Sequence, residues 1–427
     1  MHGTNAEIKR RRYVLGLLLG AYILSYLDRQ ILYILIEPIK AELQLSDTQI
    51  GFLGGITFAL FYATLGMPIA YLADRISRKK IISISMLVWS GMTAMSGMAA
   101  NFGQMLAARV GVAVGEAGCN PCAHSLISDL YPPKKRVKAM AIYQLGIPIG
   151  VMIGLMAGGW ISQFFGWRAA FMAVGIPGVL YAIIIWVTVS EPSRGQAEVV
   201  QQETDKPPSI SETVKHLWSL KSFRHLAFGT ALIGFVVYQV FMWSPSFLIR
   251  SYGLSKGEAG TILAIINGLG GGFGTWFGGY MVDKFGSHDV RMHLIIPGIA
   301  LVLAFPVSVG VYLSGTLAWS VTFMVFPVFL ALMNSGASMS LAQRLAKVRM
   351  RALTASILLF VTNIIGLGLG PQVTGMLSDY LYPAYGEESL RYALLIGSVV
   401  YVWAGVHYFL GAKTLADELA LVEGPQA

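Results

Sequence analysis

The sequence predicts an all-α membrane protein: twelve transmembrane helices in two pseudo-symmetric six-helix bundles. Three observations predict it. Charged residues make up 12% of the chain and hydrophobic ones 55%, with a mean hydropathy of +0.62, whereas an average soluble domain carries about 25% charged residues. Apolar stretches of about 20 residues, long enough to cross a bilayer as a helix, recur near 13–36, 50–73, 81–100, 102–127, 138–163, 169–190, 225–249, 258–281, 293–314, 317–343, 352–377 and 389–411. The chain also repeats itself: LSDTQIG at 45–51 and AYLADRIS at 70–77 recur 209 residues later as LSKGEAG at 254–260 and GYMVDKFG at 279–286. An even number of spans separates the copies, so both halves have the same orientation.

The first span follows Arg10-Arg11-Arg12. Its apolar run is too long for a signal peptide and shows no small-x-small cleavage site before Asp28, so it is read as an uncleaved helix. The fourth carries Arg109 and Glu116. Seven residues is about 700° of helical rotation, which puts both side chains on one face roughly 10 Å apart. Gly111, Gly115, Gly118 and Cys122 fall on the opposite face, where small groups admit a neighbouring helix. Cys119 and Cys122 have no metal or redox partners in the sequence and are read as packing thiols. Gly146, Gly150, Gly154 and Gly158 give the fifth span the same close-packing character, as Gly366, Gly368 and Gly370 do the eleventh.

The stretch 191–224, with Glu191-Pro192 and Pro207-Pro208, reads as a cytoplasmic linker between an N-terminal bundle (1–190) and a C-terminal bundle (225–427). In the second bundle, Tyr238, Gln239, Met242 and Trp243, with Asn267 and Asn334, are candidates to line an amphipathic cavity, set against plain packing or lipid-facing roles. Gly270-Gly271-Gly272-x-Gly274 is not a nucleotide loop, because no strand precedes it and no Gly-Lys-Ser/Thr follows.

The net charge of +9 does not indicate nucleic acid, because its distribution is one-sided: 24 of the 31 Lys and Arg fall at the termini, in the linker and in alternate loops. By the positive-inside rule these lie in the cytoplasm, which predicts a multi-pass protein of the cell (inner) membrane with both termini cytoplasmic. His124 and His407 are isolated within the spans and no nucleophile constellation stands out. No enzyme, metal or cofactor is expected.

Ionisable groups at membrane depth cost about 2.5–3.5 kcal/mol each on insertion scales. Asp28, Arg29, Arg109 and Glu116 are therefore the candidates for proton coupling and substrate binding. Burial raises a carboxyl pKa and a nearby arginine lowers it, so Asp28 and Glu116 around Arg109 form a switch when water enters from either side. The tenth span, pseudo-equivalent to the fourth, has no charge between Ala318 and Gln343, which assigns the coupling to the N-terminal half. Arg29 projects about 100° from Asp28 and is placed either in the cavity or toward the outer interface. The competing assignment for the whole set is a static network that fixes helix register.

Ala70-x-x-x-Asp74-Arg75-x-x-Arg78-Lys79 resembles the loop 2–3 signature of the major facilitator superfamily, with Ala70 and Ser77 in place of glycines. Gly279-x-x-x-Asp283-Lys284-x-Gly286 is a partial second copy, and the parallel repeat matches that superfamily's architecture. YLDR at 26–29, VGEA at 114–117, ISDLYPPKKR at 127–136 and IPIG at 147–150 resemble the spinster family of lipid transporters. The resemblance implies alternating access, proton coupling and a lysolipid- or sphingolipid-like substrate. A symporter of small organic anions such as sugar acids, using Asp28, Arg29 and Arg109, is the alternative. Asp74, Arg75, Arg78 and Asp283 are expected to form a cytoplasmic gate. The expected partners are protons, a lipid-like or organic-anion substrate and membrane lipids, without nucleic acid.

Overall fold

Inside hydrocarbon every backbone amide must be satisfied within its own segment or by a close neighbour, which favours helices. The computed structural model describes residues 5–73, 75–192 and 209–423, and these are helical throughout with no strand. Asp74 and residues 193–208 of the expected linker lie outside the described residues.

Among the described residues, seven helical runs are long and apolar enough to cross a membrane. Two of them, Pro133–Thr188 and Leu353–Val422, have 56 and 70 residues. At about 1.5 Å per residue each far exceeds a single crossing, so each holds two spans. Gly166, with φ of 83°, breaks the first run in the left-handed region that glycine tolerates. Arg78–Ser96, 102–130 and 256–286 supply the third, fourth and eighth spans and carry more polar residues. Several spans are interrupted: the second at Gly55, the fourth at Ala117-Gly118, the eighth by a π-helical turn at Ile266–Gly270 and the eleventh by one at Asn363–Leu369.

The sequence repeat has a physical counterpart. Ser46 caps Asp47–Gly54: its hydroxyl accepts from the Gln49 amide at 3.2 Å, while the Gln49 side chain accepts from the Ser46 amide at 2.9 Å. Ser255 and Glu258 do the same at the start of the eighth span, at 3.3 and 3.0 Å. Both repeats are capping boxes that set where a span begins.

The chain divides into two compact units, Met1–Glu203 with Leu254–Ala264, and Thr204–Gly253 with Ile265–Ala427. In the first unit the glycine row of the fifth span lies against the first span. A Cβ at Gly150 would sit 2.5 Å from the Ile23 carbonyl oxygen, and one at Gly154 would sit 2.8 Å from the Gln30 Cβ. Backbone cannot yield there as a side-chain tip can. Gly150→Leu should therefore cost at least the roughly 1–3 kcal/mol typical of overpacking. An unchanged thermal unfolding midpoint in detergent would show that the two helices do not meet at this row. Leu254–Ala264 joins the same unit through the Gly257 amide, which donates to Gln163 at 3.1 Å, and through Thr261, which accepts from the Trp160 indole at 3.0 Å.

The expected linker contains structure that hydropathy does not reveal. Ile210–Ser219 is a helix capped by Ser209, whose hydroxyl accepts from the Glu212 amide at 3.1 Å. The seventh span starts at Lys221 rather than 225. The local signal was present as Ser209-x-x-Glu212, but ten residues are too few to register as a span.

Candidate functional site

The site grows from the contact between the first and fourth spans. Gly115 lets the fourth helix press onto the third, where an added Cβ would meet the Trp89 backbone nitrogen at 2.6 Å and the Ser85 carbonyl at 2.9 Å. That contact fixes the neighbouring Glu116, which ends Phe102–Glu116 and is 2% exposed. Its Oε2 accepts from the Arg29 Nε at 2.7 Å and from the Ser25 hydroxyl at 3.0 Å. Ser25 and Arg29 are four residues apart, so they project from one face of the first span.

Arg29 is thus turned inward, and the outer-interface alternative does not describe it. Its guanidinium is faced by the rings of Tyr62, Phe58 and Tyr26 at 4.7, 4.8 and 5.1 Å. Such contacts are worth about 2 kcal/mol or more when desolvated. Asp28, one position back, points to the third span and accepts from the Thr93 hydroxyl at 3.2 Å.

Arg109 is 1% exposed, yet it is not the hub expected from its spacing to Glu116. Its guanidinium lies 5.8 Å from the Phe58 ring, and its Nε and Nη1 have no hydrogen-bond partner among the described residues, as is also true of Glu116 Oε1. The shared face is real, but Arg29 reaches Glu116 from the neighbouring helix. Two carboxyl groups and two guanidinium groups are therefore buried in one unit. Their formal charges cancel only when all four are ionised, so one proton taken up leaves an unbalanced charge in a low-dielectric interior.

At the positive boundary Arg78 is 2% exposed. It donates to Glu191 at 2.9 Å, to Ser125 at 2.9 Å, to the Pro192 carbonyl at 3.2 Å and to Asp129. All of these partners belong to the first unit. Arg78 ties the start of the third span to the end of the fourth and to the segment after the sixth, and its donors are not left over for a latch. Glu191 also accepts from the amides of Arg78 and Lys79 at 3.1 and 3.0 Å and from Ser77 at 2.7 Å, the arrangement that suits an anion at a helix N-terminus. Burial opposes its charge, but these donors together hold its carboxyl below the usual range.

Because the folded-state value is depressed, the stabilisation from Glu191 is complete above the ordinary Glu value of about 4.3 and is lost as pH falls through the lower folded value. Glu191→Gln should accordingly lower the thermal midpoint at pH 7, with the gap to wild type closing in acid. A gap independent of pH would remove the charge contribution. Arg75 is exposed in the turn before this helix, and Asp283 is exposed near the end of Gly271–Gly286.

The candidate cavity residues of the second unit separate into two groups. Gln239, Met242 and Trp243 are 0% exposed. The Gln239 amide donates to the Leu394 carbonyl at 3.1 Å and the Trp243 indole to the Pro371 carbonyl at 2.9 Å. Asn334 is buried and accepts from Ser338 and Tyr408. These groups hold helices of one unit together, because a polar tip in hydrocarbon must find a partner. Tyr238 and Asn267 keep partial exposure. Spacing did not single out Ser25, Thr93, Tyr26, Phe58 and Tyr62. Ser25, one helical turn before Arg29, and Tyr26, the first residue of YLDR, carried a local signal; Thr93, Phe58 and Tyr62 carried none.

Helical spans broken at glycines, a duplicated half and a charged cluster in one unit are the features of a multi-pass membrane transporter. A family model described as the Major Facilitator Superfamily matches residues 18–371, and the chain belongs to that superfamily. It is 31% identical over 418 residues to an MFS-type efflux pump of Mycolicibacterium smegmatis (strain ATCC 700084 / mc(2)155), covering 95% of each chain. It is 28% identical over 431 residues to a probable L-galactonate transporter of Escherichia coli (strain K12), covering 97% of this chain and 92% of the other. Among solved structures it is similar to a bacterial homologue of the human lysosomal transporter spinster in an inward-facing, unoccupied conformation, with a TM-score of 0.89, 32% identity and coverage of 97% and 99%. The spinster-like character read from the motifs holds at the level of the whole fold.

Proposed function

We propose that this chain is a proton-coupled secondary transporter of the cell membrane, with cytoplasmic termini, that moves a lysolipid- or sphingolipid-like amphiphile by alternating access. The carrying observation is the Arg29 guanidinium, held by Glu116 at 2.7 Å and walled by Tyr26, Phe58 and Tyr62. A cation beside an aromatic wall suits a molecule with an anionic head and an apolar body. A proton taken up by Glu116 cancels the charge that holds Arg29 and releases the guanidinium to a substrate anion. The return of the carboxylate would reverse the exchange. Asp74, Arg75 and Asp283 are assigned to the cytoplasmic gate on their repeated sequence positions.

A second function is favoured by one observation, the Nε and Nη1 of Arg109, which have no hydrogen-bond partner among the described residues and suit a compact anion held by a fork of donors. The L-galactonate relative named above points the same way. Proteoliposome uptake with a panel of lysolipids and sugar acids, with and without a pH gradient, distinguishes the two. Lysolipid uptake that follows the gradient supports the amphiphile, sugar-acid uptake supports the anion, and uptake indifferent to the gradient overturns proton coupling.

A further inference from the structure

We propose that the pocket beneath the linker helix holds one acyl chain of an anionic glycerophospholipid from the membrane leaflet on the linker side. The helix Ile210–Ser219 buries Thr213 and Leu217 against the second unit, yet it leaves Ile210, Val214 and Trp218 exposed at 60%, 40% and 50%. Those three lie four residues apart, so they form one apolar stripe, whose Val214 and Trp218 border the cavity while keeping 40% and 50% exposure. In a chain surrounded by lipid, such a stripe ending in tryptophan marks a helix lying in the bilayer interface.

Between this helix and the seventh and eleventh spans lies a cavity of about 200 Å³, walled by apolar residues that include Leu217, Trp218, Phe223, Phe228, Leu358 and Val361. A water held there would lack the two to four polar partners it needs, and a polar substrate would lose its own. A transmembrane helix of another protein, about 10 Å across, is too wide. A hydrocarbon chain meets both limits. Lys215 is exposed midway along the linker helix, Lys221 is exposed at the first position of the seventh span, and Arg224 follows about one turn further on. This places cations at headgroup height beside the apolar slot, where an anionic phosphate is favoured.

The test uses the full chain in detergent with phosphatidylglycerol brominated in its acyl chains, reading tryptophan emission. The Trp218 contribution is isolated by difference from Trp218→Phe. Saturable quenching at about one lipid per chain is expected, as the geometry of a single slot requires. Val361→Phe, which fills the slot from the eleventh span, should weaken it by about fivefold or more, and Ala227→Val should do so from the seventh span. Lys215→Gln combined with Lys221→Gln should weaken phosphatidylglycerol by about tenfold while leaving brominated phosphatidylcholine unchanged. Unsaturable quenching that both filling variants leave intact would show only bulk lipid at the interface and overturn the site. Equal wild-type affinity for the two lipids would overturn the anionic headgroup.

Discussion

Glu116→Gln is expected to abolish the pH response of transport while leaving a folded protein. The amide keeps the shape of the carboxyl group, and its oxygen can still accept from Ser25 and Arg29, which now lie 3.0 and 2.7 Å from Oε2. Only the titrating charge is lost. Coupling between two ligands of one protein is typically about 1–3 kcal/mol, or about 5–150-fold in affinity, and the part contributed by Glu116 should vanish. Proton flux followed with an internal pH dye during substrate uptake is the measurement, with Asp28→Asn as its companion. A pH response retained in both single variants and in the double variant would mean that the coupling resides elsewhere and that the cluster is a static brace.

The second large effect is expected from Arg29→Ala. It leaves Glu116 buried with Ser25 as its remaining hydrogen-bond partner and takes the cation from the Tyr26 and Tyr62 faces, while Phe58 keeps only Arg109 at 5.8 Å. Removing one partner of a buried ion pair costs about 3–5 kcal/mol. Arg29→Lys should recover only part of this, because a compact ammonium cannot present a planar face to Tyr26, Phe58 and Tyr62 while donating to Glu116. Unfolding midpoints for Arg29→Ala, Glu116→Ala and the double variant give the interaction energy directly. A double variant no less stable than either single one is expected, since it removes the uncompensated charge. Strict additivity would show that the two groups do not interact.

These expectations differ from those drawn on spacing alone because of how helices pack. Arg109 and Glu116 share a face of the fourth span, as seven residues require, and that made Arg109 the natural partner. In the folded chain Arg29 reaches across from the first span, and the Phe58 ring lies within 6 Å of both cations. Angular position on one helix says which residues point the same way. It does not say which neighbouring helix stands opposite, and for that reason spacing left Arg29 between the cavity and the outer interface. The same holds for Arg78, which a surface motif placed at a gate and which the fold uses to join three segments of its own unit. Trp243 and Gln239 look like cavity residues in sequence, but their polar tips find the carbonyls of Pro371 and Leu394 far along the chain.

The sequence by itself determined the twelve spans, the duplication and the rarity of intramembrane charge. Hydrophobic length, a 209-residue offset and the presence of an ionisable side chain are properties of the chain read one residue at a time. Glycine rows foretold close helix contacts, since a missing Cβ acts the same whatever helix arrives. Only the tertiary structure decided that Arg29 rather than Arg109 holds Glu116, that aromatic rings enclose it, and that a short capped helix covers an apolar slot. Each of those depends on which faces of separate helices meet. That choice is made by packing summed over many residues, and no local pattern encodes it.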